Sequence, residues 1–278
     1  MLPEAASRIA ETFNEWHSRS MTTRPRRGGR PSAGEPVLDR AFHLMDAFTD
    51  EEPNLTLTQL SGRSGIPLSS ALRLAVHLCR LGALERQADG SFTMGLRMLE
   101  YAALAPRGHG LRAIALPYME DLHRATRQHV QLAVRENDEG VIVERLSAPG
   151  AGKVLYYVGG RLPLHGTGLG HVLLAYSHPE FQNAYLQREL FLEPEHTSMT
   201  AAELRSQIEA VRSTGVAHMS RLLPEPAISV GAPVFGRSGE CVAALSVLGS
   251  DGSIDTRMLE PAVVAIARSI SRDLKRSG

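Results

Sequence analysis

Residues 55–94 read LTLTQLSGRSGIPLSSALRLAVHLCRLGALERQADGSFTM, and this stretch decides the fold of the N-terminal part of the chain. Thr56 and Gln59 have the spacing of a capping box, in which each side chain accepts a hydrogen bond from the other residue's backbone N–H. Gly65 suits the left-handed conformation that commonly follows a helix. We therefore predict a first helix that ends near Ser64.

A second helix is predicted to begin near Leu68 and to stop at Gly82. Pro67 disfavours a helical conformation for Ile66, which separates the two helices by a tight turn. The apolar positions have a helical period. They are Leu68, Ala71, Leu72, Ala75, Val76, Leu78 and Cys79. The opposite face carries Ser69, Ser70, Arg73, His77 and Arg80.

Residues 83–94 change to the alternating period of a β-hairpin, with a turn signal at Asp89 and Gly90. The alternating residues are Leu84, Arg86, Phe92 and Met94. Residues 37–48 have helical spacing and would complete a three-helix core. Two helices at a sharp turn followed by a hairpin form the winged helix-turn-helix pattern, so we predict such a domain over residues 36–95.

The second helix of a winged helix-turn-helix domain places its N-terminal residues on base edges in the major groove. The residues at these positions and on the same face are Ser69, Ser70, Arg73 and His77. Hydroxyl groups pair with several bases or with phosphate, and arginine suits guanine. We predict these four residues as DNA contacts. The alternative is that the two helices serve only for packing.

The whole chain has no basic excess, since its 30 lysine and arginine residues equal its 30 aspartate and glutamate residues. A DNA-binding protein therefore needs local positive charge. Residues 16–34 hold several arginines and no acidic residue. We predict that residues 1–35 are a basic disordered arm, whose Arg26, Arg27 and Arg30 lie along a minor groove. A solvated tail without DNA contacts is the alternative.

From residue 96 onward, the sequence predicts a linker helix over residues 96–110 and a larger domain over residues 111–278. From residue 129 the period becomes that of strands. Strands are predicted at residues 130–135, 140–146, 153–158, 216–219, 227–235 and 241–249. Helices are predicted at residues 111–126, 179–190 and 201–214 and at the C-terminus. The fold class is α+β, with an antiparallel sheet and helices.

A glycine-rich segment, residues 159–170, opens another helix of this domain. The backbone N–H groups of Gly168 and Leu169 would form an anion site through unpaired donors and the helix dipole. The alternative is that the glycines only permit a tight turn. His165 and His171 lack the spacing of a zinc motif, and His165 is expected to order the turn. We predict no metal, cofactor or catalytic site, because the chain has neither a nucleophile elbow nor a phosphate-binding loop.

The two cysteines, Cys79 and Cys241, lie in apolar runs and are expected to be core residues rather than a disulfide or a metal pair. Free thiols fit a reducing compartment. The sequence has no signal peptide and no apolar run of about 18 residues, which predicts a cytoplasmic protein without membrane contact.

Three segments together resemble the IclR family of bacterial transcription regulators. They are GIPLSS at 65–70 followed by LGALE at 81–85, RLPLHGTGLGH at 161–171, and GAPV at 231–234 followed by GECVAALSV at 239–247. The resemblance implies a winged helix joined by a helix to a GAF-like α/β effector-binding domain. Members of the family commonly form dimers or tetramers, bind small organic or aromatic acids, and repress or activate nearby catabolic operons.

The resemblance also implies an effector pocket. When the family's pocket is matched to this sequence position by position, its residues correspond to Gly168, Leu169, Met219, Ser229, Ser246 and Leu248. Met219 stands where the family's small 2-oxo-acid binders carry an acidic residue, and Leu248 replaces a hydroxyl. We expect an anion contact with an apolar far wall, and hence an effector bulkier than glyoxylate or pyruvate, such as an aromatic or alicyclic acid. If Met219 and Leu248 are core residues instead, the pocket is small or closed.

The function predicted from the sequence is a sequence-specific DNA-binding regulator of a catabolic operon, controlled by an organic acid, and not an enzyme. Two alternatives stay open at this point. One is a small-molecule sensor that acts through protein partners, and the other is a metabolic enzyme that uses the C-terminal pocket. The expected partners are double-stranded operator DNA, the acid effector and further copies of the chain, as a homodimer or a dimer of dimers.

Overall fold

The computed structural model describes residues 35–49, 52–105, 110–151, 156–192, 197–221, 227–250 and 255–276. These residues form two compact units, one within residues 35–105 and the other from residue 110 onward. The domain boundaries that we predicted from the sequence stay predictions. The basic arm predicted over residues 1–35 lies, except for its last residue, outside the described residues.

The first unit has the predicted winged helix-turn-helix order. Its helices are α1 (Val37–Met45), α2 (Leu57–Ser64), α3 (Leu68–Arg80) and α4 (Arg97–Ala103), and its hairpin pairs β1 (Leu84–Arg86) with β2 (Phe92–Met94). Helix α2 begins with the predicted capping box: the Gln59 N–H donates to the Thr56 hydroxyl, and the Thr56 N–H donates to the side-chain Oε1 of Gln59. The helices and the wing are therefore confirmed.

Buried contacts hold the turn between α2 and α3. Gly65 has a φ of +67°, a left-handed conformation that glycine adopts without steric cost. Ile66 is 1% exposed, and the Ser61 hydroxyl donates a hydrogen bond of 2.7 Å to its carbonyl. The buried core of the unit consists of Leu44, Ala47, Phe48, Leu55, Leu60, Ile66, Ala71, Ala75, Leu78, Leu84 and Phe92. This packing fixes where α3 begins.

Part of the predicted apolar face of α3 is not buried. Ala71, Ala75 and Leu78 pack in the core, at a spacing of four and three residues. Three other apolar residues are 40–50% exposed: Leu68, Leu72 and Val76. They lie four residues apart on the neighbouring stripe of the helix, which turns away from the core of the unit. Helix α1 also ends at Met45 rather than at residue 48, because the next residues bond through i→i−3 turns.

The second unit is built on a six-stranded antiparallel sheet. Its strands are β3 (His129–Glu136), β4 (Glu139–Leu146), β5 (Arg161–Pro163), β8 (Ala217–Arg221), β9 (Ala227–Phe235) and β10 (Cys241–Ser250). Their order in the sheet is β5-β4-β3-β10-β9-β8. A short pair outside this sheet joins β6 (Phe191–Leu192) to β7 (Thr197–Ser198).

Helices pack against both faces of the sheet. They are α5 (Leu111–Thr126), α6 (Gly168–Ala175), α7 (Pro179–Tyr185), α8 (Ala201–Thr214) and α9 (Thr256–Arg276). One apolar core joins α5 and α9 to one set of strand residues, and a second core joins α6 and α8 to the alternate residues. Because strand side chains alternate, Ser246 projects to the α6 side, between Leu245 and Val247 of the opposite core. The α+β fold class is confirmed.

The strand predicted at residues 153–158 is not present where the chain is described. Residues 153–155 lie outside the described residues, and residues 156–158 are not in a strand. The edge strand is instead β5, inside the glycine-rich segment, because the Ile142 N–H and carbonyl already bond to Gly160 and Gly159 just before it. The predicted helix at 179–190 ends earlier, at Tyr185.

Candidate DNA-binding helix and effector cavity

One face of α3 presents the predicted DNA contacts. Ser69, Arg73 and His77 are exposed, and Ser70 is half-buried. Their spacing of three and four residues places them on one side of the helix. Within the described part of the chain, Arg73 forms no hydrogen bond or ion pair. The structure therefore brings these four side chains to one surface, and their contact with DNA stays a prediction.

The wing is anchored beside α2. Leu55 and Phe92 exchange two backbone hydrogen bonds of 2.8 and 2.9 Å, and the Phe92 ring is buried. The Arg86 guanidinium lies 5.7 Å from the centre of that ring and is itself exposed. The predicted contacts Arg26, Arg27 and Arg30 lie outside the described residues.

A cavity lies between the N-terminus of α6 and the sheet. The space between them is about 490 Å³, a volume that includes the part open to solvent. It is bordered by all six residues assigned through the resemblance, which are Gly168, Leu169, Met219, Ser229, Ser246 and Leu248. It is also bordered by Gln131, Tyr156, Leu162, Gly166, Thr167 and Ala227. That these residues bind an effector stays a prediction.

Thr167 caps the helix that opens the cavity. Its hydroxyl accepts a hydrogen bond of 3.0 Å from the Gly170 N–H and donates one of 3.1 Å to the Pro163 carbonyl. The first N–H groups of a helix have no acceptor within the helix. The N–H groups of Gly168 and Leu169 donate to no group of the described residues, and both residues border the cavity.

Close approach explains two glycines of this segment. A Cβ atom on Gly168 would lie 2.8 Å from the Oγ of Ser229, and a Cβ atom on Gly170 would lie 2.5 Å from the backbone of Leu164. Real Cβ atoms essentially never show contacts this short. Glycine therefore brings the end of α6 directly onto β9 and onto the residues that follow β5.

The strand register places the polar lining in two rows. Ser246 of β10 is opposite Gln131 of β3 on one side and opposite Gly231 of β9 on the other. In the next row on the same face, Ser229 of β9 lies between Leu248 and Met219. The floor of the cavity thus alternates polar and apolar side chains.

Among the described residues that border the cavity, none carries a charge. The polar groups that line it are hydroxyls, backbone N–H groups and the carboxamide of Gln131. Gln131 is 4% exposed, and its Nε2 has no hydrogen-bond partner. Sequence reasoning missed this residue; its only signal was a single amide within the apolar strand sequence HVQLAV at 129–134.

Two buried histidines order the glycine turn. The His165 Nε2 bonds to the Phe191 carbonyl at 2.9 Å, so it carries the proton, and its Nδ1 accepts from the Tyr185 hydroxyl at 2.8 Å. The His171 Nε2 donates to the His165 carbonyl at 2.8 Å. Burial lowers the pKa of His165 and lowers the pKa of His171 from 6.5 to about 4, so both rings are neutral near pH 7.

Two features of the described residues bear on other classes of protein. Within those residues, no group of three or more His, Cys, Asp or Glu side chains is arranged to hold a metal ion. No helix in the same residues has the length and apolar character needed to cross a membrane. Cys241 is half-buried, and desolvation raises the pKa of its thiol to about 12, which makes it an unreactive thiol at neutral pH.

Two protein-family models match nearly the whole described chain. The IclR helix-turn-helix domain matches residues 37–88. The C-terminal domain of the bacterial transcriptional regulator IclR matches residues 104–276. The two matches follow the same order as the two compact units.

Individual relatives are similar over most of their length. The chain is 28% identical over 239 residues to the HTH-type transcriptional regulator KipR of Bacillus subtilis (strain 168), a match covering 83% of this chain and 95% of KipR. It is also 28% identical over 245 residues to the Pca regulon regulatory protein of Pseudomonas putida, covering 85% and 82% of the two chains.

Solved structures have the same fold. An IclR homolog from Microbacterium hydrocarbonoxydans, complexed with 4-hydroxybenzoate, is 29% identical with a TM-score of 0.81, covering 87% of this chain and 100% of that chain. The Thermotoga maritima IclR, at 23% identity and a TM-score of 0.69 over 86% and 98% of the chains, shares the fold. The chain therefore belongs to the IclR family of bacterial transcriptional regulators, which are not enzymes and combine a DNA-binding helix-turn-helix with an effector-binding C-terminal domain.

Proposed function

We propose that the protein is a sequence-specific regulator of catabolic genes whose affinity for operator DNA is controlled by an aromatic or alicyclic carboxylic acid. The acid binds in the cavity between α6 and the sheet. The observation that carries this proposal is the combination of free helix N–H groups and apolar side chains, without a charged residue among the described lining residues.

The carboxylate end of the ligand is recognised by the first turn of α6. The N–H groups of Gly168 and Leu169 point two donors and the positive end of the helix dipole at an anion. The hydroxyl of Ser229 lies close to Gly168, since a Cβ atom on that glycine would be only 2.8 Å from the Ser229 Oγ. A carboxylate at this place gains charge-assisted hydrogen bonds without a paired cation.

The apolar part of the cavity selects acids by their size. Met219 and Leu248 flank Ser229 in the same row of the sheet, and Leu162 borders the cavity from β5. A ring buries apolar surface against these side chains, whereas pyruvate or glyoxylate leaves most of that surface uncovered. The 4-hydroxybenzoate bound by the Microbacterium homologue belongs to the class proposed for this chain.

The exposed face of α3 is the proposed DNA-binding surface. Ser69, Ser70, Arg73 and His77 contact base edges and phosphates in the major groove, with Arg73 as the group suited to guanine. The arm, through Arg26, Arg27 and Arg30, adds contacts in the minor groove. The regulator acts as a homodimer or a dimer of dimers on paired half-sites, in the cytoplasm where the operator is.

A ligand screen followed by a DNA-binding assay tests the proposal. Thermal unfolding of the full chain is measured with aromatic acids, alicyclic acids, pyruvate and glyoxylate, since a ligand bound only by the folded state raises the midpoint. The positive ligands are then titrated into a complex with the DNA upstream of the protein's own gene. Aromatic or alicyclic acids should raise the midpoint and change the DNA affinity.

Two outcomes contradict the proposal. Tight binding of pyruvate with no response to aromatic or alicyclic acids would refute the ligand class. Acid binding without binding to any upstream DNA would favour the sensor that acts through protein partners. Substitution Ser246→Ala, which removes the hydroxyl from the cavity and adds no atom, serves as the matched test that ligand responses come from this site.

A further inference from the structure

Gln131 is a polar group that the proposed function does not yet use. It lies on β3, borders the cavity and is 4% exposed. Its amide Nε2 is buried without a hydrogen-bond partner. Buried donors are nearly always paired in proteins, because leaving one unpaired costs free energy. An unpaired donor at the wall of a cavity can be satisfied by an acceptor that a ligand brings.

Gln131 and the N-terminus of α6 lie at opposite ends of the cavity. The register runs from Gln131 through Ser246 to Gly231, across β3, β10 and β9. Two strand spacings separate the outer residues by about 9–10 Å. The end of α6 lies at the β9 side, since a Cβ atom on Gly231 would be 3.3 Å from the Gly168 carbonyl oxygen.

This separation defines the shape of a ligand that satisfies both ends. The para position is the ring position farthest from the carboxylate, so a single six-membered ring held by its carboxylate at the Gly168 and Leu169 N–H groups carries a para substituent toward the β3 side. A carboxylate at one end of the ring then accepts from α6. An oxygen substituent at the opposite end of the ring comes within reach of the Gln131 amide.

We infer that Gln131 is a specificity-determining residue, which donates a hydrogen bond to a ring oxygen para to the carboxylate. The chain therefore selects para-oxygenated aromatic acids over acids of the same size that are apolar at this position. The inference rests on the proposed function, because it takes the aromatic acid bound at α6 as given. A site built to bond a hydroxyl rejects the analogue without it, since its own polar group is then left unpaired.

The hydrogen bond has no competing acceptor on the protein side. Ser246 is opposite Gln131 in the register, but no hydrogen bond joins the two side chains in the described structure. If a water molecule bonds to Gln131 in the free protein, the para oxygen must displace it. A water that stays in place would give no discrimination between a para hydroxyl and a para methyl group, and this difference makes the inference testable.

The test compares two ligands of matched size with calorimetry on the full chain. 4-Hydroxybenzoate and 4-methylbenzoate differ by a hydroxyl in place of a methyl group. The native chain should bind 4-hydroxybenzoate about tenfold more tightly, as expected for one buried hydrogen bond. Gln131→Met, which keeps the length of the side chain and removes the amide, should abolish or reverse this preference. Gln131→Leu is a second variant, in case the first does not fold.

Gln128 is the matched control. It is three residues from Gln131 and also has a buried amide oxygen without a partner, but it does not border the cavity. Gln128→Met should keep the tenfold preference. Equal binding of the two acids by the native chain, or the same preference in Gln131→Met, overturns the inference and leaves the proposed ligand class intact. Failure of the native chain to bind either acid also overturns the inference, and it overturns the proposed function only if no other aromatic or alicyclic acid raises the unfolding midpoint.

Discussion

The close approach of α6 to the sheet predicts a specific effect of the substitution Gly168→Ala. A Cβ atom on residue 168 would lie 2.8 Å from the Oγ of Ser229 and 3.6 Å from the Cβ of Met219. The first distance is shorter than real Cβ contacts, and the second is an ordinary van der Waals contact. The added methyl group therefore conflicts with one atom, the hydroxyl oxygen of Ser229.

Two effects of opposite sign set the change in unfolding free energy. Alanine restricts the unfolded chain, which stabilises the protein by about 0.4–1 kcal/mol. Overpacking against Ser229 costs about 1–3 kcal/mol. We expect a net loss of about 1 kcal/mol in Gly168→Ala. In the double variant with Ser229→Ala, the conflicting oxygen is gone and the loss is recovered, so the two substitutions are coupled by about 1–2 kcal/mol.

Urea unfolding of the native chain, both single variants and the double variant measures this coupling. Calorimetry with 4-hydroxybenzoate then measures binding, which should weaken in Gly168→Ala because the methyl group projects toward Ser229 and Met219, both at the cavity. Additive unfolding free energies together with unchanged ligand affinity would refute the geometry of the α6 end.

Three further predictions follow from the same structure. Gly170→Ala should cost about 3 kcal/mol in urea unfolding, because its Cβ would meet the Leu164 backbone at 2.5 Å and backbone atoms cannot move aside. Arg73→Ala should reduce the preference for operator over random DNA by about 1–3 kcal/mol in competition anisotropy. Proton uptake linked to His171 should lower the unfolding free energy by about 2 kcal/mol between pH 8 and pH 5, because burial lowers its pKa from 6.5 to about 4 and only the unfolded chain protonates this residue in that window. In urea unfolding at the two pH values, His171→Gln should remove this contribution and leave the one that the lowered pKa of His165 adds.

Each of these predictions has a control and a contradicting result. The Gly170 prediction fails if the alanine variant is as stable as the native chain. Arg205→Ala, at an exposed position of α8, should leave DNA preference unchanged, and an equal loss in both arginine variants would contradict a base contact by Arg73. His178 is exposed, so His178→Gln should retain the acid sensitivity that His171→Gln loses.

Local signals in the sequence predicted the helix-turn-helix well. The capping box at Thr56 and Gln59 and the left-handed Gly65 act within a few residues, so the same interactions are visible in the sequence and in the structure. The hairpin turn at Asp89 and Gly90 is of the same kind. The resemblance to a family located six residues that the structure brings to one cavity.

Features that depend on distant contacts could not be predicted. The helical period places Leu72 and Ala71 on neighbouring apolar stripes of α3, but it does not show which stripe packs in the core. In the structure Ala71 is buried and Leu72 is exposed. The edge strand β5 forms because residues 159 and 160 pair with Ile142, a contact that the glycine-rich sequence does not indicate. Gln131 becomes a candidate site residue only when β3, β10, β9 and α6 are assembled around one space.

The central claim is that an acid in the α6 cavity and DNA on the α3 face are energetically coupled. The most direct test is the dissociation constant of 4-hydroxybenzoate measured with and without saturating operator DNA. Linkage requires that the acid change the DNA affinity by the same factor, and we predict a factor of about 5 or more. An acid affinity that is identical with and without DNA would contradict the account.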